Sequence, residues 1–484
     1  MPVTVLQNFI GGEFVNSNNT EQYIDSYNPA TGKVHAKVPD SNEVDVNKAV
    51  EAAQAAFKTW SKLPSSHRSN FLYRIADVLE SRLKEFAEAE VRDQGKTIKF
   101  ATNIDISRSV YNFRYFAGHV LHMEEKAGQL DGVALNYVQR CPIGVAGLIS
   151  PWNLPLYLLT WKIAPCIASG NTCVCKPSEF TSLTAYMLCS VLKEAKLPDG
   201  VVNMVFGSGP STGEALVTHP NVPLISFTGG TVTGKHIMES SAKQLKKLSL
   251  ELGGKNANII FDDCNFEQAV ETSIRAAFSN QGEICLCGSR IFVQETIYQK
   301  FLDTFIPKAR DLVVGDPNDP KTFVGALNNK QHMEKVLMYI DLARQEGGVI
   351  ECGGSRKILQ GELSEGYFVE PTVITGVSLT SRVAREEIFG PVVTVHPFTD
   401  EQQAIDYAND SLYGLSCSVW TENGRRARRV AESIDAGTVW VNCWLVRDLR
   451  MPFGGMKGSG LGREGADYSM DFFTESKTIC LANM

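Results

Sequence analysis

The chain has 484 residues, of which 43% are hydrophobic and 21% charged. That is the composition of a soluble globular protein with two or three domains, and it excludes a disordered scaffold or a coiled coil. Lys plus Arg number 47 and Asp plus Glu 54, a net charge of −7, which disfavours nucleic acid and an anionic membrane surface as partners.

The opening MPVTVLQNFIGGEF has no basic segment followed by an apolar one, so no signal peptide is read and a cytoplasmic location is expected. Apolar residues recur at helical spacing over 43–60, over two stretches within 66–92, and over 99–122. From Gly144 the pattern becomes strand–helix alternation. Strands are expected at 144–150, 171–176, 201–207, 224–229 and 247–253, with helices at 155–169, 181–196, 211–218 and 231–243. This alternation predicts an α/β fold built on a doubly wound parallel sheet. The most apolar stretch, 143–168, is interrupted by Pro151, Asn153, Pro155 and Lys162 and fails as a membrane span. A second alternating region opens with a strand at 256–263 and a helix from Phe266. It continues with helices at 300–313, 330–346, 402–409 and 423–434, and strands near 391–398, 415–420 and 438–442. A Gly-rich loop fills 443–465. Residues 474–484 read as a terminal strand, a candidate for pairing with another subunit.

There are 12 cysteines. The Cys173/Cys175 and Cys285/Cys287 pairs lack His partners at zinc spacing, so no metal site is expected and most thiols read as reduced core residues. Cys285 stands out, in Phe278–Arg290. Its polar, Gly-containing surroundings follow an apolar helical segment, which places the thiol at a break near a helix start, where its pKa can fall and it can act as a nucleophile. Cys287 is then a spectator or a redox partner. Glu251, at an apolar strand end, suits a general base with a raised pKa, or an ion-paired structural residue. Asn153 follows the first strand of the parallel sheet and would face the switch-point crevice as an oxyanion donor, unless it serves only the turn. Two Gly-rich turns, 207–213 and 227–234, are candidates for a pyrophosphate at a helix N-terminus or for simple packing. Glu179, in Lys176-Pro-Ser-Glu179, could accept ribose hydroxyls, and its charge would favour NAD over NADP; the alternative is a solvated surface carboxylate.

Together these residues resemble the NAD(P)-dependent aldehyde dehydrogenases over essentially the whole chain. The carrying motifs are SPWNLP (150–155), KPSE (176–179), FTGGTVTG (227–234), LELGGKN (250–256), NQGEIC (280–285), EEIFGPV (386–392) and PFGGMKGSGLGREG (452–465). The resemblance implies the aldehyde dehydrogenase fold. A Rossmann-like NAD-binding domain would take 1–124 and 141–252, and an α/β catalytic domain 253–458. A small β oligomerisation element would take 125–140 and 459–484, in a homotetramer or else a dimer. It implies Cys285 as nucleophile, Glu251 as base and Asn153 as oxyanion donor beside the Cys285 N–H. NAD is the implied cofactor. Lys176 and Glu179 would meet the adenosine ribose, Gly229 and Gly230 the pyrophosphate, and Glu387 and Phe389 the nicotinamide end. Ser150, Trp152, Ser178, Gly209, Phe227, Thr228 and Leu252 complete that site. Two positions depart from the family pattern. Glu283 stands where Gln is usual, which alters the electrostatics near the thiol. Gly230 stands where Ser is usual, which removes a hydroxyl from the pyrophosphate site.

Within the family the likeness is to the 2-aminomuconic semialdehyde dehydrogenase branch, on the segment Trp444–Phe453. Arg447 there, and Arg108 in the helical stretch 105–116, fall where many relatives place apolar residues lining the aldehyde tunnel. Two guanidiniums at one mouth suggest a substrate carboxylate, hence a semialdehyde of a dicarboxylic acid such as 2-aminomuconate 6-semialdehyde of tryptophan catabolism. The alternative is that both are surface or ion-paired residues, with Asp448 an available partner. The competing functions are a retinal or general aliphatic aldehyde dehydrogenase, a CoA-acylating enzyme, and a non-catalytic structural or binding homologue.

Overall fold

The structure, a computed structural model, describes residues 3–19 and 21–482, so the last two positions of the expected terminal strand lie outside the described residues. Five parallel strands form the centre of the first sheet: Val145–Ile149, Thr172–Lys176, Val202–Met204, Leu224–Thr228 and Lys247–Glu251. Their near-continuous Val, Ile, Leu and Cys content suits strands covered on both faces, and most of their residues are buried. The chain moves outward from Val145–Ile149 through Thr172–Lys176 to Val202–Met204. It then restarts on the opposite side at Leu224–Thr228. That reversal creates a crevice at the carboxyl ends of Val145–Ile149 and Leu224–Thr228. Helix Pro155–Ala168 packs against the sheet and is apolar nearly all round, as a helix buried within a domain should be.

The sheet is wider than the alternation predicts. Asn8–Ile10 and Glu13–Val15 continue it beyond Val202–Met204, both antiparallel, and Gly460–Leu461 adds antiparallel to Lys247–Glu251. Sequence patterning reveals no element before residue 43, yet two longer strands, Tyr23–Asn28 and Lys33–Pro39, pair antiparallel there with Thr4–Val5 beside the second; their mixed polar and apolar residues and a register shift at Ser26/Tyr27 give no clean alternation.

The second sheet has seven strands in the order Val349–Cys352, Thr372–Thr375, Val392–Phe398, Arg290–Gln294, Ala257–Ile260, Ser416–Trp420 and Thr438–Val441. All neighbours are parallel except the first pair. The helix expected at 300–313 spans Glu295–Arg310. A separate three-stranded sheet joins the hairpin Ala127–Leu130 and Ala134–Pro142 to Thr474–Ala482, which forms its edge, in register from Thr474 opposite Pro142 to Ala482 opposite Ala134.

The helical stretch expected at 99–122 forms as Ile98–Phe100, a π-helical turn Ala101–Ile106, and helix Ser107–His119. Such wide turns recur at functional sites. Here it ends two residues before Arg108.

Candidate active site

A cleft of about 810 Å³ opens at the crevice. Ser150, Trp152, Lys176, Ser178, Glu179, Gly209, Phe227, Thr228, Gly229 and Gly230 all line it. Gly230 caps the N-terminus of helix Thr231–Ser241, so unpaired N–H groups of the first helical turn lie at the cleft. The Ser150 and Thr228 hydroxyls are buried with no hydrogen-bond partner among the described residues. Glu179 reaches Lys176, Oε2 to Nζ, at 3.0 Å. Orphaned hydroxyls, a helix N-terminus and a carboxylate at the strand end are the donor and acceptor set a dinucleotide needs, so the residues fit NAD. Leu252 lies against Gly234, where a Cβ would stand 2.5 Å from Leu252 Cδ2.

Glu387 and Phe389 lie toward the nucleophile. Glu387 Oε1 accepts the Gly254 N–H at 2.8 Å, and burial raises its carboxyl above the usual range. A Cβ on Gly253 would stand 2.3 Å from Glu387 Oε2, so glycine is what lets this carboxylate approach the backbone. Phe389 holds a left-handed φ of 64° and packs edge-on to Trp152 at 5.3 Å between centroids. The His332 ring lies 5.0 Å from Trp152, and its Nε2 is 2.6 Å from the Phe389 carbonyl oxygen. Burial pushes His332 down to about 4, so the ring is neutral and Nε2–H donates.

The nucleophile loop corrects one expectation. Helix Phe266–Phe278 ends at Ser279, whose ψ of 144° leaves the helix. Asn280, Gln281 and Gly282 then take φ values of 49°, 56° and 74°. A Cβ at Gly282 would fall 2.1 Å from the Gly390 carbonyl oxygen, so this position accepts only glycine. Cys285 therefore follows the C-terminal end of a helix rather than opening one. Burial first, then the carboxylates Glu251 and Glu387, push its thiol up rather than down, against the Arg447 charge. Asn256 holds the loop by donating to the carbonyls of Cys285 (2.7 Å) and Cys287 (2.9 Å). Cys287 is buried, and its surroundings push its thiol up to about 12.

Asn153 is buried, and its Nδ2 donates to the Glu283 carbonyl at 2.9 Å, which leaves its second N–H available. No group among the described residues accepts the Cys285 N–H. Two N–H groups of the nucleophile loop and its neighbour are thus left without an acceptor among the described residues.

Glu251 ends strand Lys247–Glu251, is buried, and has no hydrogen-bond partner for either carboxyl oxygen among the described residues. Burial raises its pKa well above the usual carboxylate range, and the Glu464 charge adds to this. Lys162, Arg447 and Arg463 oppose the shift. Glu464 is itself held by Trp161 Nε1 at 2.6 Å and Lys162 Nζ at 3.1 Å, and Lys162 also donates to Ser226 at 3.0 Å.

A second cavity, of about 300 Å³, reaches Cys285, with Arg108, Arg447, Tyr157 and Phe453 among its walls. Arg447 donates to the Tyr157 hydroxyl at 3.2 Å and lies 3.7 Å from the Phe453 ring centroid and 5.5 Å from that of Trp161. Arg108 lies over the rings of Tyr111 (5.4 Å) and Tyr157 (5.9 Å). Neither guanidinium has a carboxylate partner among the described residues. Asp448, the candidate partner in the ion-paired alternative, pairs with Arg450 at 2.6 Å.

Sequence patterns did not single out Tyr157, Trp161, His332 or Glu464. Tyr157 and Trp161 were accessible from them, since positions i and i+4 of the helix after Asn153 share a face. Glu464 was not: it is brought to Trp161 across 303 residues of chain.

The aldehyde dehydrogenase family model matches residues 14–479. The 2-aminomuconic semialdehyde dehydrogenase of Danio rerio is 55% identical over 99% of this chain and 98% of its own. That of Homo sapiens is 53% identical, covering 98% of each. Among solved structures, an NAD+ complex of an aldehyde dehydrogenase from Bacillus cereus superposes with a TM-score of 0.96 at 40% identity, over 99% of this chain and 97% of that one.

Proposed function

The chain belongs to the aldehyde dehydrogenase family, and on that premise we propose that it oxidises 2-aminomuconate 6-semialdehyde to the dicarboxylic acid with NAD. One observation carries the substrate class. Arg108 and Arg447 share the cavity of Cys285 and have no acidic partner among the described residues, while buried or half-buried cations normally are paired. A substrate carboxylate supplies the missing charge, and a guanidinium can grip it with two parallel N–H donors. The identity to 2-aminomuconic semialdehyde dehydrogenases supports the muconic skeleton.

In this reading the Cys285 thiol gives its proton to solvent water and its sulfur pair forms a C–S bond to the aldehyde carbon. The carbonyl π pair moves to oxygen, and the oxyanion takes hydrogen bonds from the second Asn153 N–H and the Cys285 N–H. When bound, NAD supplies the hydride acceptor that turns the tetrahedral adduct into a thioester. Glu251 then takes a proton from water, whose oxygen attacks the thioester carbon, and the C–S bond breaks to free the acid, the departing Cys285 thiolate taking up the proton that Glu251 received. A buried carboxyl with a raised pKa is suited to this role, because once ionised it is a stronger base than an ordinary carboxylate. The negative Glu179 at the ribose position supports NAD rather than NADP.

The exposed-edge strand Thr474–Ala482 supports assembly with a second copy, and we take the homotetramer as the state, with the dimer as the alternative. No helix among the described residues is long and apolar enough to cross a membrane. All twelve cysteines are free, which supports a cytoplasmic location.

The test is NADH formation from 2-aminomuconate semialdehyde or its stable 2-hydroxymuconate analogue, beside retinal and a short aliphatic aldehyde, for the native protein and Arg447→Ala. Preference for the muconic compound, lost in the variant, is expected. Equal use of retinal with no effect of the variant would remove the substrate assignment and leave the family's reaction standing.

A further inference from the structure

Glu283, two residues before Cys285, is completely buried, and the chemistry of aldehyde oxidation leaves its role unexplained. Its carboxyl is a meeting point. Oε2 accepts from Gln94 Nε2 at 2.7 Å and from Gln281 Nε2 at 3.3 Å; Oε1 accepts the Asn328 N–H at 3.0 Å. His332 Nε2 stands 3.7 Å from Oε1 while donating to the Phe389 carbonyl. Gln94 is the last residue of helix Leu83–Gln94 and is itself oriented by the Lys96 N–H at 3.0 Å. Asn328 precedes the cap of helix Lys330–Gln345. The carboxyl thus ties the nucleophile loop to one helix of the first domain and one of the second. Three N–H donors on two oxygens match a carboxylate, which accepts and does not donate. Burial works against the charge and raises the pKa to about 8, while the three donors and Lys96 hold it down.

The main-chain carbonyl of the same residue faces the other way. It accepts Asn153 Nδ2 at 2.9 Å and Asn280 Nδ2 at 3.2 Å. Asn280 Nδ2 also reaches the Asn153 carbonyl at 3.2 Å, and Lys96 Nζ donates to it at 3.1 Å. The direction of the free Asn153 N–H therefore depends on where the Glu283 peptide sits. Within the loop's own backbone a single bond bears on that position, from the Glu283 N–H to the Asn280 carbonyl at 2.8 Å, and it holds the peptide only to residues that are themselves left-handed and make no regular ladder.

We propose that Glu283 is a positioning residue for the oxyanion site: its carboxyl anchors the nucleophile loop, so that its carbonyl aims the Asn153 carboxamide at the oxygen of the adduct on Cys285. The inference rests on the proposed roles of Cys285 and Asn153. A misaimed donor lowers the rate of the chemical step more than it weakens cofactor or aldehyde binding, since Glu283 lines neither the cleft nor the cavity at Cys285.

The experiment measures kcat and KM for both NAD and aldehyde in the native protein, Glu283→Ala, Glu283→Gln, Asn153→Ala and Cys285→Ser. The aldehyde is whichever the native protein oxidises fastest, so the result does not depend on the muconic assignment. Rates are referred to titrated active sites, so an unfolded fraction does not count. Glu283→Ala should lower kcat by about tenfold or more, a part of the loss from removing an oxyanion donor outright, with both KM values within about twofold. Glu283→Gln keeps the shape with one acceptor fewer and should fall between the two. If Glu283→Ala does not fold, Gln94→Met removes one anchor and should show the same split. An unchanged kcat, or a loss that falls on KM as much as on kcat, overturns the proposal. Retained activity in Cys285→Ser and Asn153→Ala would instead overturn the assignment on which it rests.

Discussion

Arg447 donates to the Tyr157 hydroxyl at 3.2 Å, and this bond fixes the guanidinium between two rings beside the reactive thiol. Tyr157 is itself pinned, because its N–H is accepted by Asp105 Oδ1 at 3.0 Å and its carbonyl accepts Asn112 Nδ2 at 3.1 Å. The phenol lies between Arg447 and Arg108 and sets their spacing. Tyr157→Phe keeps the ring and removes the bond, so KM for a carboxylated aldehyde should rise about two- to tenfold, the worth of one such hydrogen bond. Arg447→Ala removes a charged pair and should raise it about ten- to a hundredfold. A short neutral aldehyde should be turned over equally by native and Tyr157→Phe proteins. Steady-state kinetics on both aldehydes checks this, and equal effects on the two would sink the carboxylate seat.

Glu251 works as a base only when ionised, and its pKa is raised by burial and by Glu464. As pH falls, the base is protonated at a higher pH than an ordinary carboxylate would be, so hydrolysis of the thioester fails at a higher pH than it would with an exposed carboxylate. Glu251→Gln should release about one NADH per site in a fast burst and then stall, with steady turnover reduced by about 10²–10⁴-fold. Quenched-flow measurement of burst amplitude decides the matter. A variant that loses the burst together with turnover would assign Glu251 to activation of the thiol instead.

Much of the fold and of the site is legible in the amino-acid sequence. The parallel strands announce themselves by runs of β-branched and apolar residues between helical stretches, and the position of Asn153 follows from its place after the first of them. The rest depends on contacts distant in sequence. Gln94 meets Glu283 across 189 residues, and the orphaned state of Arg447 depends on Asp448 choosing Arg450. The misplaced helix start at Cys285 has a local cause. Asn280 and Gln281 hold left-handed φ without being glycine, a conformation no hydrophobic pattern reports.

Behind the site lies a fully buried cluster: Lys96 bonds Asp105, stands 3.7 Å from Glu90, and donates to the Asn153 carbonyl. Glu90 has its pKa raised well above the usual range, by burial and then by Asp105, so Lys96 serves chiefly the Asp105 charge. Lys96→Met matches the stem but leaves Asp105 buried without its cation. The loss should be about 3–5 kcal/mol, the typical cost of breaking a buried pair. Denaturant unfolding with an unchanged slope and a lower midpoint is the expected result. A midpoint equal to the native protein's would show that Asp105 is protonated or rehydrated in the variant.

The thiol itself provides the last prediction. Burial, Glu251 and Glu387 all disfavour the Cys285 thiolate, and Arg447 favours it. Alkylation proceeds through the thiolate, whose fraction falls about tenfold for each unit that the pKa rises above the solution pH. In the absence of cofactor, iodoacetamide should therefore modify Cys285 more slowly at neutral pH than it modifies a free thiol, and the rate should keep rising with pH beyond the range where a free thiol levels off. Arg447→Ala removes the favouring charge and should slow the reaction further. Glu387→Gln removes an opposing one and should quicken it. The rates, read by mass spectrometry of the peptide containing Cys285, have an ordering that follows from charge alone. Faster labelling than a free thiol at neutral pH would show that the thiol is activated in the resting enzyme, and that an interaction stronger than its burial holds the thiolate.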